Sequence, residues 1–207
     1  MNKTAINRDS LKEQVKRILK KKIYSGELAP GERLKIIPIS ESLNVSQAPV
    51  REAIQCLVTG GLLEHIPNVG VRVREFSEEE VKETYQVRKI LEMASIRQTS
   101  TQPEMLATIL KTHLKQMEIA SKKKDVESYI KHNNLFHRSM VQTTGNKKML
   151  DVWDSLRLPQ FMKQAISNLK MPLDEMMPLH SAIIDALNEG SVEKAATALE
   201  KHYNALN

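Results

Sequence analysis

Several residue types are scarce in this sequence, and each scarcity limits what the protein can be. It has a single cysteine, Cys56, which excludes an internal disulfide framework and indicates a reducing compartment. Only 4% of the 207 residues are aromatic and only seven are glycine, which favours helices over β-sheet. No hydrophobic run approaches the roughly 20 residues that a membrane-spanning helix needs, so no membrane partner is expected. The amino-terminal residues lack the apolar core of a signal peptide, so we expect a soluble, cytoplasmic protein.

The positive charge lies mostly in the first third of the chain. Residues 1–76 contain 13 Lys and Arg against 8 Asp and Glu, whereas the remainder contains 18 against 17, for a net charge of +6. A basic segment beside a nearly neutral one is typical of a polyanion-binding module joined to a module with another role. A solvated helix face, such as the one containing KRILKKK, could carry the same charge, so charge alone does not decide.

The order of elements in the basic segment predicts a winged helix-turn-helix. Apolar residues at helical spacing predict a first helix over about residues 9–24, which the stretch SGELAPGERL ends. A short second helix is expected over about residues 38–43, and a third helix follows with Ser46 as its cap. Alternation in LLEHI and VRVRE around PNVG predicts a hairpin, the wing of such a module.

The third helix begins with small and polar side chains, which suit close approach to DNA. In helix-turn-helix modules this end of the helix enters the major groove, where Gln suits adenine and Arg suits guanine or a phosphate. We therefore expect contacts to double-stranded DNA from the start of the third helix, from an arginine in the segment that precedes the second helix and from the hairpin tip. These residues are Ser46, Gln47, Ala48, Pro49 and Arg51, then Arg33, and finally Asn68 and Gly70.

SGELAPGERL and LNVSQAPVREAIQCLVTGGLLEHIPNVGVRV resemble the N-terminal domain of GntR-type bacterial transcription regulators. The likeness covers about residues 9–74. Many members have Arg and Thr after the Ser, where this chain has Gln47 and Ala48. The resemblance implies binding to DNA, and not which bases are read.

From residue 77 onward the pattern is helical, with no strand signal. Ser77 and Glu80 form a possible capping box with almost no linker before it. The predicted fold class is therefore mainly α, with a winged helix-turn-helix domain over residues 1–76 and an all-α helical bundle over residues 77–207. The predicted helices of the bundle cover about residues 78–101, 103–123, 126–144, 147–169, 175–188 and 192–206.

Three histidines of the bundle recur with apolar residues at helical spacing, namely His137, His180 and His202. Each imidazole is expected to face the interior, where an unpartnered polar group is costly. One such histidine is usually a satisfied core residue. Three on separate helices, with the amide of Asn133 one turn before His137, could instead converge on one metal ion.

The stretches NNLFHRSMVQTTGN, PLHSAIIDAL and EKHYNAL resemble three signatures of the FCD effector domain found in the FadR subfamily of GntR regulators. The resemblance implies that Asn133, His137, His180 and His202 hold a divalent metal ion, with zinc and nickel as candidates. Many members have Asp in place of Asn133. Because Asn keeps a carbonyl oxygen but lacks the negative charge, metal affinity should be lower.

Arg88, in YQVRKILEM, has two interpretations. The resemblance implies an Arg that faces the effector cavity, where the planar guanidinium suits the carboxylate of a small metabolite. The alternative is a surface Arg that pairs with Glu92, one turn further along the helix. The sequence leaves both open.

These features indicate a metabolite-responsive transcription regulator and not an enzyme. The resemblance and the shortness of a single recognition helix imply that it binds a two-fold symmetric operator as a homodimer, and a small carboxylate effector is expected near a metal in the helical domain. A metal-dependent hydrolase is one alternative, but the sequence has no HEXXH motif, nucleophile elbow or phosphate-binding glycine loop. A DNA-binding architectural protein, which would bind neither metal nor metabolite, is the other.

Overall fold

The computed structural model describes residues 10–99, 103–156 and 173–205. The chain divides into two compact units, the first ending at Glu75 and the second beginning at Phe76, one residue before the predicted boundary. No helix within the described residues has the length and apolar character needed to cross a membrane.

The first unit combines three helices with a small sheet. The helices are α1 (Leu11–Ser25), α2 (Ile36–Ser42) and α3 (Gln47–Thr59), and the strands are β1 (Arg33–Leu34), β2 (Leu63–Ile66) and β3 (Gly70–Val73). Strand β3 lies between β1 and β2 and pairs antiparallel with both. The predicted winged helix-turn-helix is confirmed. Strand β1 was not predicted, because two residues are too short to show an alternating pattern.

Helices α1 and α3 pack against each other through apolar faces. Helix α1 buries Val15 and Leu19, and α3 buries Val50 and Ile54. Removing each large side chain of this kind from water is worth roughly 1.5–3 kcal/mol. The packing holds α3 by its apolar face and leaves the helix start, at Gln47, exposed.

A tight turn joins β2 to β3. Asn68 has a φ of 63°, and the N–H of Val69 donates to the carbonyl oxygen of Ile66 at 3.1 Å. A type II turn requires a positive φ at the third position and commonly has Pro at the second, here Pro67, and Asn tolerates positive φ better than most residues. The predicted hairpin is therefore formed, with Asn68 exposed at its tip.

The second unit is helical throughout its described part, and the predicted bundle is confirmed. The helix predicted over residues 147–169 ends at Ser155, with Leu156 as its C-cap, and residues 157–169 lie outside the described residues. A 3-10 turn over Leu173–Met176 directly precedes the α-helix that begins at Met177. These are α4 (Glu78–Gln98), α5 (Pro103–Lys122), α6 (Val126–Gln142), α7 (Lys147–Ser155), α8 (Met177–Asn188) and α9 (Val192–Asn204).

Side-chain caps begin four of these helices, including α7, where the side chain of Asn146 accepts from the backbone N–H of Met149. Ser77, Asp125 and Ser191 each accept a hydrogen bond from the backbone N–H three residues later, which begins α4, α6 and α9 respectively. Each such cap satisfies a donor that the helix itself cannot, and is worth typically about 1 kcal/mol.

One hydrophobic core joins α5, α6, α8 and α9. Leu110, Phe136, Ile183 and Leu199 come one from each of these helices, and each is 0% exposed. Packing this close leaves little freedom for the helices to rotate. Polar residues on the same buried faces are therefore held together as firmly as the apolar ones.

Candidate functional site

Three histidines from three helices meet inside the second unit. His137 of α6, His180 of α8 and His202 of α9 are each at most 2% exposed. Their ring centroids are 4.4–5.5 Å apart, and one candidate ligand nitrogen from each lies within 4.8 Å of the others. The structure thus brings together the three histidines that the sequence singled out.

The three imidazoles are held in their neutral form. Burial, together with the neighbouring His137, lowers the pKa of His180 to about 3. Burial also lowers the pKa of His137 and places that of His202 well below its usual value. Since only the neutral ring has a lone pair for a metal, the cluster presents metal-binding donors rather than cations.

Hydrogen bonds determine which nitrogen carries the proton in two of the rings. His180 Nδ1 donates to the carbonyl oxygen of Met176 at 2.8 Å, and His137 Nδ1 donates to Oε2 of Glu92 at 2.7 Å. In both rings the lone pair is therefore on Nε2. His137 Nε2 is buried and has no hydrogen-bond partner among the described residues. A metal ion would satisfy this otherwise costly group.

Asn133 reaches the histidines but presents its nitrogen to them. The residue is 5% exposed, and its Nδ2 donates to Nε2 of His180 at 3.2 Å. An amide nitrogen is not a metal ligand, and here it covers the lone pair that His180 would give to an ion. A rotation of the amide about its last bond would exchange nitrogen for oxygen. The carbonyl ligand implied by the resemblance is therefore within reach but oppositely oriented.

A buried carboxylate, Glu92, lies beside the histidines and is 0% exposed. Its Oε1 accepts from Nε of Arg88 at 2.7 Å and from Nε1 of Trp153 at 3.1 Å, while Oε2 accepts from His137. Burial alone would raise the pKa of Glu92, but the charge of Arg88 and the hydrogen bond from His137 lower it to about 2. Glu92 is therefore ionised, and the positive charge of Arg88 balances its negative charge.

Arg88 is buried, so the interpretation of it as a surface residue is wrong. It is 2% exposed, and its Cζ lies 5.4 Å from the ring centroid of Tyr85 and 5.7 Å from that of Tyr203. The expected pair with Glu92 is formed, but inside the domain. Within the described part of the chain, Nη2 of Arg88 is buried without a hydrogen-bond partner. An anionic ligand would satisfy this donor.

The residues expected to contact DNA at the start of α3 are accessible. Ser46, Gln47, Ala48 and Arg51 are exposed, and Pro49 is half-buried. Ser46 occupies the cap position, but its side chain makes no capping hydrogen bond, which leaves its hydroxyl available to a ligand. Nη2 of Arg51 donates to Oε1 of Gln47 at 3.2 Å, so these two side chains share one exposed turn.

Strand pairing brings Arg33 next to the hairpin. Arg33 lies in β1 and pairs with Arg72 of β3. Its guanidinium is 3.5 Å from the place that a Cβ at Gly70 would occupy, and Gly70 has a φ of 107° that other residues rarely adopt. The structure therefore joins Arg33, Gly70 and the exposed Asn68 in one region of the first unit, whereas the sequence placed Arg33 only before the second helix.

Sequence reasoning missed three groups that shape the histidine cluster. Glu92 was considered only as a partner of Arg88, and neither Trp153 nor the carbonyl of Met176 was assigned a contact to the site. His137 is 45 residues from Glu92 and Trp153 is 61 residues from it, so no spacing rule relates them. The carbonyl of Met176 is one helical turn before His180, a spacing that could have suggested the contact.

Comparison with known proteins assigns both units. The model of bacterial regulatory proteins of the gntR family matches residues 11–73, and the model of the FCD domain matches residues 83–205. The probable D-xylose utilization operon transcriptional repressor of Paenarthrobacter nicotinovorans is 30% identical over 97% of this chain and 88% of that protein. The HTH-type transcriptional repressor RspR of Escherichia coli (strain K12) is 26% identical over 92% of this chain and 84% of that protein. The solved structure of E. coli McbR/YncC has the same fold, with a TM-score of 0.69, 24% identity and 95% coverage of both chains.

Proposed function

The chain belongs to the GntR family of bacterial transcription regulators with an FCD domain, and we propose that it acts as a homodimer whose DNA affinity depends on a metal ion and a small carboxylate. The observation that carries the proposal is the cluster of three buried neutral histidines beside a buried arginine with an unused donor. The relatives are named as transcriptional repressors, which confirms the prediction of a regulator rather than an enzyme. We propose residues 1–76 as the DNA-binding domain and residues 77–207 as the ligand-binding and dimerisation domain, acting in the cytoplasm.

We propose that the start of α3 reads DNA. Its free backbone N–H groups and the positive end of its dipole favour phosphate oxygens, and the small side chains of Ala48 and Pro49 permit close approach. The hydrogen bond between Arg51 and Gln47 supports a joint role in reading neighbouring base edges. The hydroxyl of Ser46, which makes no capping hydrogen bond, could donate to a phosphate oxygen. Arg33, Asn68 and Gly70 would add contacts from the wing.

We propose that His137, His180 and His202 hold one divalent ion, with zinc and nickel as candidates, and that Asn133 adds its carbonyl oxygen after its amide rotates. Imidazole nitrogen is a common ligand of both metals. The bound ion would supply a positive, Lewis-acidic centre inside the domain. The orphaned Nε2 of His137 supports this assignment, because burial of an unused lone pair is otherwise unexplained.

A carboxylate effector follows from the charges around this site. Three imidazoles and one amide form a neutral donor set, and Arg88 already balances the charge of Glu92, the one carboxylate among the described residues that is hydrogen-bonded to them. A bound 2+ ion would therefore be uncompensated in an interior where isolated charge is strongly disfavoured. A small carboxylate would supply the negative charge, and Nη2 of Arg88 offers it a second contact.

An exposed apolar face of α4 supports the proposed homodimer. Val87 and Ile90 lie one turn apart on this helix and are 41% and 68% exposed. Apolar side chains grouped on an exposed helix face often mark a contact with another subunit. A symmetric dimer would present two α3 helices to two half-sites of a palindromic operator.

The first prediction concerns DNA binding. Arg51→Ala should weaken binding to a duplex selected in vitro from a random library by about 1–3 kcal/mol, if the Arg contacts a base edge with two hydrogen bonds. Because Arg51 is exposed, the melting temperature should not change. Fluorescence anisotropy at fixed salt measures the affinity, with Thr59→Ala at the other, exposed end of α3 as the control. Equal affinity of Arg51→Ala and wild type would exclude the start of α3 as the reading surface.

The second prediction concerns the dimer. Ile90→Glu should convert the protein to a monomer of 23.5 kDa, because a carboxylate would be buried without a partner in the interface. Sedimentation equilibrium measures the mass. Met105→Glu, at an exposed apolar residue of α5, should leave the dimer intact. A monomeric wild type at tens of micromolar protein would contradict the proposal.

The third prediction concerns the metal and the carboxylate. Metal-free protein should take up one zinc ion and melt at a higher temperature with zinc present, because an ion bound only by the folded state stabilises it. His137→Ala combined with His180→Ala should abolish both effects. As a control, His113→Ala with His132→Ala removes another histidine pair, whose ring centroids are 5.8 Å apart, and should change neither.

Calorimetry completes this test by separating the metal from the anion. Acetate should tighten zinc binding by the same factor by which zinc tightens acetate binding, since linkage is reciprocal. Failure of the wild type to take up either zinc or nickel, measured by elemental analysis, would reject the metal centre and favour an architectural protein. Zinc uptake that acetate leaves unchanged would reject the charge argument alone.

A further inference from the structure

We infer that Glu92 is a positioning residue: it sets the tautomer that makes His137 a metal ligand and also holds Arg88 beside the site. The inference rests on the proposed metal centre. Three N–H donors from three helices converge on this one carboxylate, from Arg88 of α4, His137 of α6 and Trp153 of α7. No other described carboxylate is buried in this way.

The two oxygens of Glu92 accept hydrogen bonds from different partners. Oε1 accepts from Nε of Arg88 at 2.7 Å and from Nε1 of Trp153 at 3.1 Å. Oε2 is left to accept from Nδ1 of His137 at 2.7 Å. Because Arg88 and Trp153 both donate to one oxygen, the plane of the carboxylate is held so that the other oxygen faces the histidine. The carboxylate cannot rotate without losing one of these contacts.

This division determines the chemistry of His137. A proton held on Nδ1 leaves the lone pair on Nε2, the atom that is buried without a partner within the described residues. His137 also lies with its ring centroid 5.5 Å from that of His180 and 4.9 Å from that of His202. A carboxylate that accepts a hydrogen bond from Nδ1 makes Nε2 a stronger metal ligand and fixes the orientation of the ring towards a metal. Glu92 therefore acts on the metal site through His137 without touching the ion.

Glutamine at position 92 would keep the shape but could not serve all three donors. Its amide has one oxygen, and its nitrogen is a donor. If the oxygen stays with Arg88 and Trp153, the amide nitrogen faces Nδ1 of His137, which must then accept the hydrogen bond. The proton of His137 moves to Nε2, and the lone pair no longer faces the other two histidines.

The test measures the tautomer of His137 in metal-free protein and the zinc affinity of the same samples. Histidine-selective 15N labelling and two-bond 1H–15N correlation should show His137 protonated on Nδ1 in wild type and on Nε2 in Glu92→Gln. A competition titration with a chromophoric chelator should show zinc affinity reduced roughly 10–100-fold in Glu92→Gln. Trp153→Phe removes one donor to Oε1 but leaves the bond to His137, so the tautomer should remain as in wild type.

A second variant keeps the test decisive if Glu92→Gln alone does not fold, because that change leaves Arg88 buried without a counter-charge. Arg88→Met combined with Glu92→Gln removes both charges together, so that neither is left buried alone. In this double variant His137 should be protonated on Nε2, and zinc affinity should be lower than in wild type. His137 remaining protonated on Nδ1, with zinc affinity equal to that of wild type, would overturn the inference. If the wild type binds neither zinc nor nickel, the proposed metal centre fails, and the tautomer of His137 still decides whether Glu92 positions it.

Discussion

The carboxylate of Glu92, 0% exposed and ionised, is the feature on which the rest of the site depends. It neutralises Arg88, orients His137 and is itself oriented by Trp153. A buried charge without partners would be strongly disfavoured, so the three donors and the carboxylate must be retained together. The same contacts tie α4, α6 and α7 to one another at the edge of the histidine cluster.

The groups around Glu92 leave buried polar atoms without a hydrogen-bond partner among the described residues. Among the described residues, the charge of Glu92 is balanced by Arg88, and two of the buried atoms without a partner are Nε2 of His137, which has a lone pair, and Nη2 of Arg88, which is a cationic donor. The first suits a metal ion and the second suits an anion. In the proposed function, each ligand would therefore tighten the binding of the other, which would let the regulator respond more strongly to a metabolite when the metal is present.

Much of this could be predicted from the sequence, and the limits have physical causes. Helical periodicity placed His137, His180 and His202 on buried faces, because a face repeats every three to four residues whatever its partner is. The position of Asn133 was also predictable, but the orientation of its amide depends on the proton of His180, which Met176 fixes. The role of Glu92 arises from contacts between distant helices, which local spacing does not encode.

Anomalous diffraction from crystals soaked with zinc tests the account most directly. Data collected on either side of the zinc absorption edge should give one strong peak in the second unit, bonded to nitrogen atoms of His137, His180 and His202 at roughly 2.0–2.1 Å. The amide of Asn133 should be rotated to present its oxygen, and Nδ1 of His137 should remain bonded to Glu92. A peak at any other residues, or no peak at zinc concentrations that saturate the protein in solution, would contradict the account.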